Sequence, residues 1–153
     1  MCMLVVFGIS SCNKFTVPSD YVGNWNSPET KVVVRTSEGK LKYNFTSDSV
    51  NVTLKINANK EVSGTIGNVV FTNGKLLKNK GLPPSVTGIA YIVQCGEIGK
   101  IFENDPLPQK EVELWLSPIV HSDTINAELR FTERNATFPM SGFSLSKSKT
   151  YKD

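Results

Sequence analysis

An alternating stretch, Val50-Asn51-Val52-Thr53-Leu54-Lys55-Ile56-Asn57, decides the fold. In it, four apolar residues alternate with four polar ones. Successive side chains of a β-strand point to opposite faces, so a period of two predicts a strand with one buried face and one exposed face. The same alternation recurs over residues 111–116, 125–132 and 143–146, which indicates that half-buried strands run through much of the chain.

Turn-forming residues separate the alternating runs. Asn57-Ala58-Asn59-Lys60 and Thr72-Asn73-Gly74 are typical of hairpin turns, the second because Asn-Gly tolerates positive φ. No window predicts a long helix, and further strands are expected over residues 31–36, 40–45, 62–72, 74–78, 87–94 and 99–102. An open meander of this length would expose two sheet edges. The sequence therefore favours an all-β fold, an up-and-down antiparallel β-barrel of about eight strands, with a β-sandwich as the alternative.

Composition limits the possible classes of protein. The chain has 153 residues, the size of one domain. Hydrophobic residues make up 39% and charged residues 20%, which excludes a disordered chain and a multi-span membrane protein. The net charge of +3 is small for a nucleic-acid binder, so we expect no nucleic-acid partner. Three Cys and one His leave little material for a metal site, and we expect no cofactor.

The N-terminal residues resemble a targeting signal. Met3 to Ile9 form an apolar run that is too short to span a bilayer and is typical of the end of a secretory signal. Ile9-Ser10-Ser11-Cys12 resembles the lipobox of bacterial lipoproteins, which implies cleavage after residue 11 and lipidation of Cys12. No basic residue precedes the run, so we expect the signal peptide, residues 1–11, to be truncated at its start. The alternative is that residues 3–9 form a buried strand and that Cys12 is an ordinary thiol.

This resemblance implies a location in the cell envelope. We expect residues 12–20 to be a lipidated tether and the N-terminal acyl anchor to hold the protein on a membrane, because several acyl chains give stable anchoring. Asn13 is not the Asp that resembles an inner-membrane retention signal, so we expect the outer membrane, facing the periplasm. Cys95 would then be the last free thiol, and its apolar neighbours predict that it is buried.

A second resemblance concerns the start of the barrel. Tyr21-Val22-Gly23-Asn24-Trp25 resembles the Gly-x-Trp motif of lipocalin-like (calycin-type) barrels. It implies a barrel over residues 21–147, followed by a basic tail over residues 148–153. It also implies that Gly23 allows a tight backbone approach, that Trp25 closes one end, and that an Arg stacks on Trp25. Arg130 is the candidate for that contact and Arg134 the alternative.

A barrel of this size leads to two hypotheses about function. It is just wide enough to hold side chains or one small ligand. The first hypothesis is an envelope lipoprotein that binds a small hydrophobic ligand between inward-facing residues, Val52, Leu54, Ile56, Leu114, Leu116, Leu129 and Phe131. The second is a non-enzymatic envelope interaction or accessory protein with a filled barrel. Its contact surface would involve Leu82-Pro83-Pro84 and Trp115, because Trp115 has the opposite parity to its apolar neighbours.

Catalytic patterns are missing from the sequence. His121 is the single histidine, Asp123 is two residues away, and no serine lies in Gly-x-Ser-x-Gly. Neither a phosphate-binding loop nor a Cys-x-x-Cys pair occurs. The carboxylates Glu103, Asp105, Glu111 and Glu113 are interpreted as solvated edge charges, and Lys75, Lys78 and Lys80 as a solvated basic turn. The sequence therefore predicts that the protein is not an enzyme.

Overall fold

The computed structural model describes residues 15–35, 41–81, 83–101, 110–121, 123–133 and 136–149. For residues 28–35, 41–49, 110, 120–121, 131–133 and 136–141, only the backbone is described. In this part of the chain, the strands are β1 (Gly23–Arg35), β2 (Leu41–Ile56), β3 (Glu61–Ile66), β4 (Val69–Lys78), β5 (Tyr91–Ile98), β6 (Lys110–His121), β7 (Thr124–Glu133) and β8 (Ala136–Lys147). A 3-10 turn, Ser19–Tyr21, precedes β1, and a short helix, α1 (Pro84–Thr87), precedes β5.

The strands form a closed barrel. Each strand pairs antiparallel with the next one along the chain. The ring is completed where β1 meets β8, through the pairs Trp25 with Lys147 and Asn26 with Ser146. The all-β prediction and the up-and-down barrel are confirmed, and the sandwich alternative is excluded. We call the end of the barrel at which β1, β3, β5 and β7 begin the closed end.

Alternation along the strands builds the core. In β2, Val52, Leu54 and Ile56 are buried, whereas the intervening Lys55 is exposed. In β6, the apolar residues Val112, Leu114 and Leu116 are buried in the same way. Because one face of every strand points into the barrel, these residues join a single hydrophobic core. Each fully buried side chain of this size stabilises the fold by about 1.5–3 kcal/mol.

The second predicted hairpin turn is wrong. The chain reverses at Gly67 and Asn68, between β3 and β4, where Gly67 has φ +57°. Asn73 and Gly74 lie inside β4 instead, at a shift in its register with β3. A Cβ at position 74 would lie 2.8 Å from the carbonyl oxygen of Val62, so glycine is needed there for a close approach of two strands. The first predicted turn, at residues 57–60, is confirmed by the bond from the amide of Asn57 to the carbonyl of Glu61.

The N-terminal segment packs across the closed end. Val17 and Tyr21 are each 5% exposed and belong to the barrel core. Phe15 stacks on Tyr91 at the start of β5, with 5.6 Å between the ring centroids. The described segment before β1, which was expected to belong to a tether, is therefore part of the folded domain.

Candidate functional site

The predicted ligand-lining residues are packed against each other. Six of the seven are no more than 2% exposed and belong to one core cluster, namely Val52, Leu54, Ile56, Leu114, Leu116 and Leu129. The seventh, Phe131, lies on β7, and its side chain is outside the described part of the structure. Side chains that are buried by their neighbours leave no surface for a ligand to contact. In the described part of the barrel, the interior is thus a core.

Trp25 fills the closed end, as the Gly-x-Trp resemblance implies. Its side chain is 1% exposed, and its indole Nε1 donates to the carbonyl of Tyr21 at 2.8 Å. The Nζ of Lys147 lies 5.4 Å from the centre of its ring and donates to the carbonyl of Asp20 at 2.8 Å. Gly23 has φ +136°, and a Cβ there would lie 2.9 Å from the Cε of Lys147. The absence of a side chain at Gly23 therefore gives Lys147 access to Trp25.

The prediction that Arg130 stacks on Trp25 is wrong. The guanidinium carbon of Arg130 lies 3.6 Å from the centre of the Trp115 ring, on the outer wall of the barrel. The physical reason is strand parity, because Leu129 points inward and its neighbour must then point outward. Lys147 supplies the cation over Trp25 instead. The alternative candidate, Arg134, lies outside the described residues.

An aromatic cluster joins the N-terminal segment to the barrel. Tyr21 meets Tyr91 edge to face at 4.7 Å, and its hydroxyl donates to the carbonyl of Ser117 at 2.9 Å. Burial, with a contribution from Tyr91, raises the pKa of Tyr21 to about 12. Burial also raises the pKa of Tyr91. Both phenols therefore stay protonated near neutral pH and act as packing and hydrogen-bonding groups.

Trp115 lies on the outer wall, as its parity predicts. It is half-buried, and its Nε1 donates to a carboxylate oxygen of Glu113 at 2.8 Å. Arg130 covers its ring and is held in turn by Glu128, with 2.7 Å between the two charged groups. We call Glu113, Trp115, Glu128 and Arg130 the Trp115 cluster. The ladder places Trp115 beside Ile92, and Ile92 beside Leu77, so an outward apolar row crosses three strands.

A groove with three lysines lies next to this row, at the closed end. Its volume is about 880 Å³. The described residues that line it are Phe15, Lys60, Leu76, Leu77, Lys78, Lys80 and Ile92. We call it the lysine groove. It combines an apolar wall with cationic groups, which is the chemistry that an amphiphilic anion requires.

A second groove lies where β4 and β5 separate. Their pairing runs from Lys78 with Tyr91 to Lys75 with Gln94, and β5 then bulges between Gln94 and Gly96, where φ is +78°. The groove has a volume of about 400 Å³, and Cys95 is among the residues that line it. The thiol is buried, as the sequence predicts, and burial together with Glu113 raises its pKa. A thiol that stays protonated is a poor nucleophile, so Cys95 is a core residue.

Several of the remaining candidate residues lie outside what the structure describes. His121 ends β6, and its side chain, like residues 103 and 105, is outside what the structure describes. Among the described residues, no group of three His, Cys, Asp or Glu side chains is placed to hold a metal ion. In the same part of the chain, no helix has the length and apolar character needed to cross a membrane.

Comparison with known proteins gives no identification. Neither the protein-family models, nor the curated proteins, nor the solved structures yield a match to this chain. The lipoprotein and lipocalin resemblances therefore stay predictions, and Cys12, which the first depends on, lies outside the described residues.

Proposed function

We propose that this protein is a non-enzymatic lipoprotein of the cell envelope, whose packed barrel is a scaffold that presents its outer wall to a partner protein. The proposed location in the cell envelope rests on the lipobox-like sequence at residues 9–12. The choice of an interaction protein is carried by one observation, the complete burial of six predicted ligand-lining residues in one core. The proposed cellular location is the outer membrane, with the barrel facing the periplasm.

Binding of a hydrophobic ligand inside the barrel has weaker support. Ligand cavities usually measure about 300–1,000 Å³ and present apolar side chains to the bound molecule. The six buried residues expose at most 2% of their surface, so they have nothing to present. Burial against neighbouring side chains already gives each of them the stabilisation that a ligand would give.

The Trp115 cluster supports contact with a partner. Trp and Arg are enriched among the residues that carry most of the binding energy at protein interfaces. Here both side chains are fixed before binding, Trp115 by its hydrogen bond to Glu113 and Arg130 by its ion pair with Glu128. A surface that is already ordered loses less side-chain entropy when it docks.

Native mass spectrometry of the chain from the membranes of its own cells tests this proposal. We expect a chain that starts at Cys12 and carries covalent acyl mass, together with a protein partner. Trp115→Ala should weaken partner binding about 30-fold or more, since hot-spot truncation costs about 2 kcal/mol or more. Lys55→Ala, at an exposed site on β2, should leave it unchanged. The absence of a partner, together with a retained hydrophobic molecule other than a membrane phospholipid, would support the ligand hypothesis instead.

A further inference from the structure

The lysine groove has an amphiphilic construction. Phe15, Leu76, Leu77 and Ile92 give it apolar walls, and Leu77 is 40% exposed. Lys78 and Lys80 are exposed, and Lys60 places its Nζ 4.7 Å from the centre of the Phe15 ring. Three cations thus surround one apolar depression. A ligand that fits it must join an anionic group to a hydrocarbon part.

The three lysines of the groove form no ion pair among the described side chains. None of the described lining residues carries a carboxylate, and the ion pair formed among the described side chains joins Arg130 to Glu128 on another part of the wall. Lys60 has φ +76°, a backbone conformation that usually favours glycine or asparagine. A lysine at this strained position brings a cation to the groove that an ordinary turn residue would not supply.

The position of the groove matches that of the proposed anchor. Phe15 forms part of its wall, and three peptide units join Phe15 to Cys12. A fully extended chain of that length spans about 11 Å at most. Acyl chains on Cys12 would therefore enter the bilayer close to the groove, and the closed end of the barrel would face the lipid headgroups.

We propose that the lysine groove binds the phosphate-bearing headgroups of anionic phospholipids and seats the closed end of the barrel on the membrane surface. This inference rests on the lipid anchor proposed above. The lysines contact the headgroup phosphates, and the apolar wall contacts the first methylenes of the acyl chains. The Trp115 cluster lies on β6 and β7, and none of its residues lines the groove, although Trp115 pairs with Ile92 of the groove wall.

Vesicle sedimentation with the full chain carrying Cys12→Ser tests the groove without an acyl group. The vesicles are phosphatidylcholine alone, or phosphatidylcholine and phosphatidylglycerol mixed two to one. We expect binding to the mixed vesicles and none to phosphatidylcholine. Lys78→Glu with Lys80→Glu should weaken binding at least roughly 25-fold, the contribution of two lysines near an anionic surface. Salt at about 1 M should abolish binding by the wild-type groove, because the Debye length falls to about 3 Å.

The matched control is Lys55→Glu with Lys100→Glu. It changes the net charge by the same amount at exposed positions that do not line the groove. We expect it to retain most of the binding, and circular dichroism shows whether both double variants fold.

Equal binding to the two kinds of vesicle, or an equal loss in the control, overturns the proposal. A dimer in light scattering that does not bind vesicles would mean that a second copy covers the groove. None of these outcomes affects the partner measurement at Trp115, so the two proposals fail separately.

Discussion

At the scale of single residues, the face of the sheet on which a side chain lies can be predicted from the sequence, whereas the register between strands cannot. The position of Arg130 on the outer wall follows from alternation alone, because it lies between Leu129 and Phe131 in the sequence. Its assignment to Trp25 came from a family resemblance and went against that parity. The contact of Lys147 with Trp25 depends on how β8 meets β1. That register is set by closure of the ring, which no local pattern specifies.

Tyr21 makes the fold sensitive to alkaline pH. Its pKa is about 12 in the folded chain, against 10.0 for an ordinary tyrosine, so the folded state holds the phenolic proton more tightly. The stabilisation is complete below pH 10 and is lost as the pH rises through 12. We expect the free energy of unfolding to fall more steeply between pH 10 and 12 in the wild type than in Tyr21→Phe, measured by urea unfolding. Equal slopes for the wild type and Tyr21→Phe would contradict the prediction.

At the level of elements, the sequence predicts the type of structure better than its boundaries. Residues 40–45 and 50–56 were expected to be separate strands, yet they belong to one strand, β2. Residues 62–72 and 74–78 were divided at Asn73-Gly74, whereas the turn lies at residues 67–68. An Asn-Gly pair suits a bulge as well as a turn, and the neighbouring strand decides between them. Here the close approach of β3 to Gly74 made it a bulge.

Gly64 permits the closest approach of β2 and β3. A Cβ built at position 64 would lie 1.9 Å from the carbonyl oxygen of Thr53, so a side chain must push the two backbones apart. The movement would also disturb the hydrogen bond between the hydroxyls of Thr53 and Thr65, now 2.8 Å long. We expect Gly64→Ala to lower the free energy of unfolding by about 3 kcal/mol.

The control for Gly64 is Gly99→Ala, measured in the same denaturant series. A Cβ at Gly99 meets nothing within 4 Å, and its φ is not in the left-handed region. We expect that variant to change stability by less than about 1 kcal/mol. If the two variants were equally stable, β2 and β3 would have to adjust freely, and the tight approach would carry no structural role.

For the whole molecule, alternation and edge protection were enough to predict a closed barrel. They could not predict whether the barrel is filled. The inward residues Val52, Leu114 and Leu129 have the same sequence pattern whether they line a cavity or pack against each other. The difference depends on how the inner faces of opposite strands fit together, which is a property of side-chain volumes in three dimensions.

The packed core in the described part of the barrel predicts a strong contrast between two leucines. Leu114 has no exposed surface and lies in the barrel core, whereas Leu77 is 40% exposed on the outer wall. Leu114→Ala leaves a cavity among neighbours that cannot fully collapse, so we expect it to lower the free energy of unfolding by about 2–5 kcal/mol. Leu77→Ala removes the same atoms from a position already in contact with water, and its effect should stay below about 1 kcal/mol.

The same pair of variants separates a scaffold from a ligand-binding barrel. In a barrel built around a ligand, Leu114 would face a cavity in the free protein, and its truncation would cost little stability while weakening ligand binding. Urea unfolding of the purified chain, with and without added fatty acid, distinguishes the two cases. A large loss for Leu114→Ala that fatty acid does not restore is the result expected of a packed core. A small loss for Leu114→Ala would support a ligand-binding interior. A clear rise in wild-type stability with fatty acid would support it too, because only a molecule that binds the folded state stabilises it.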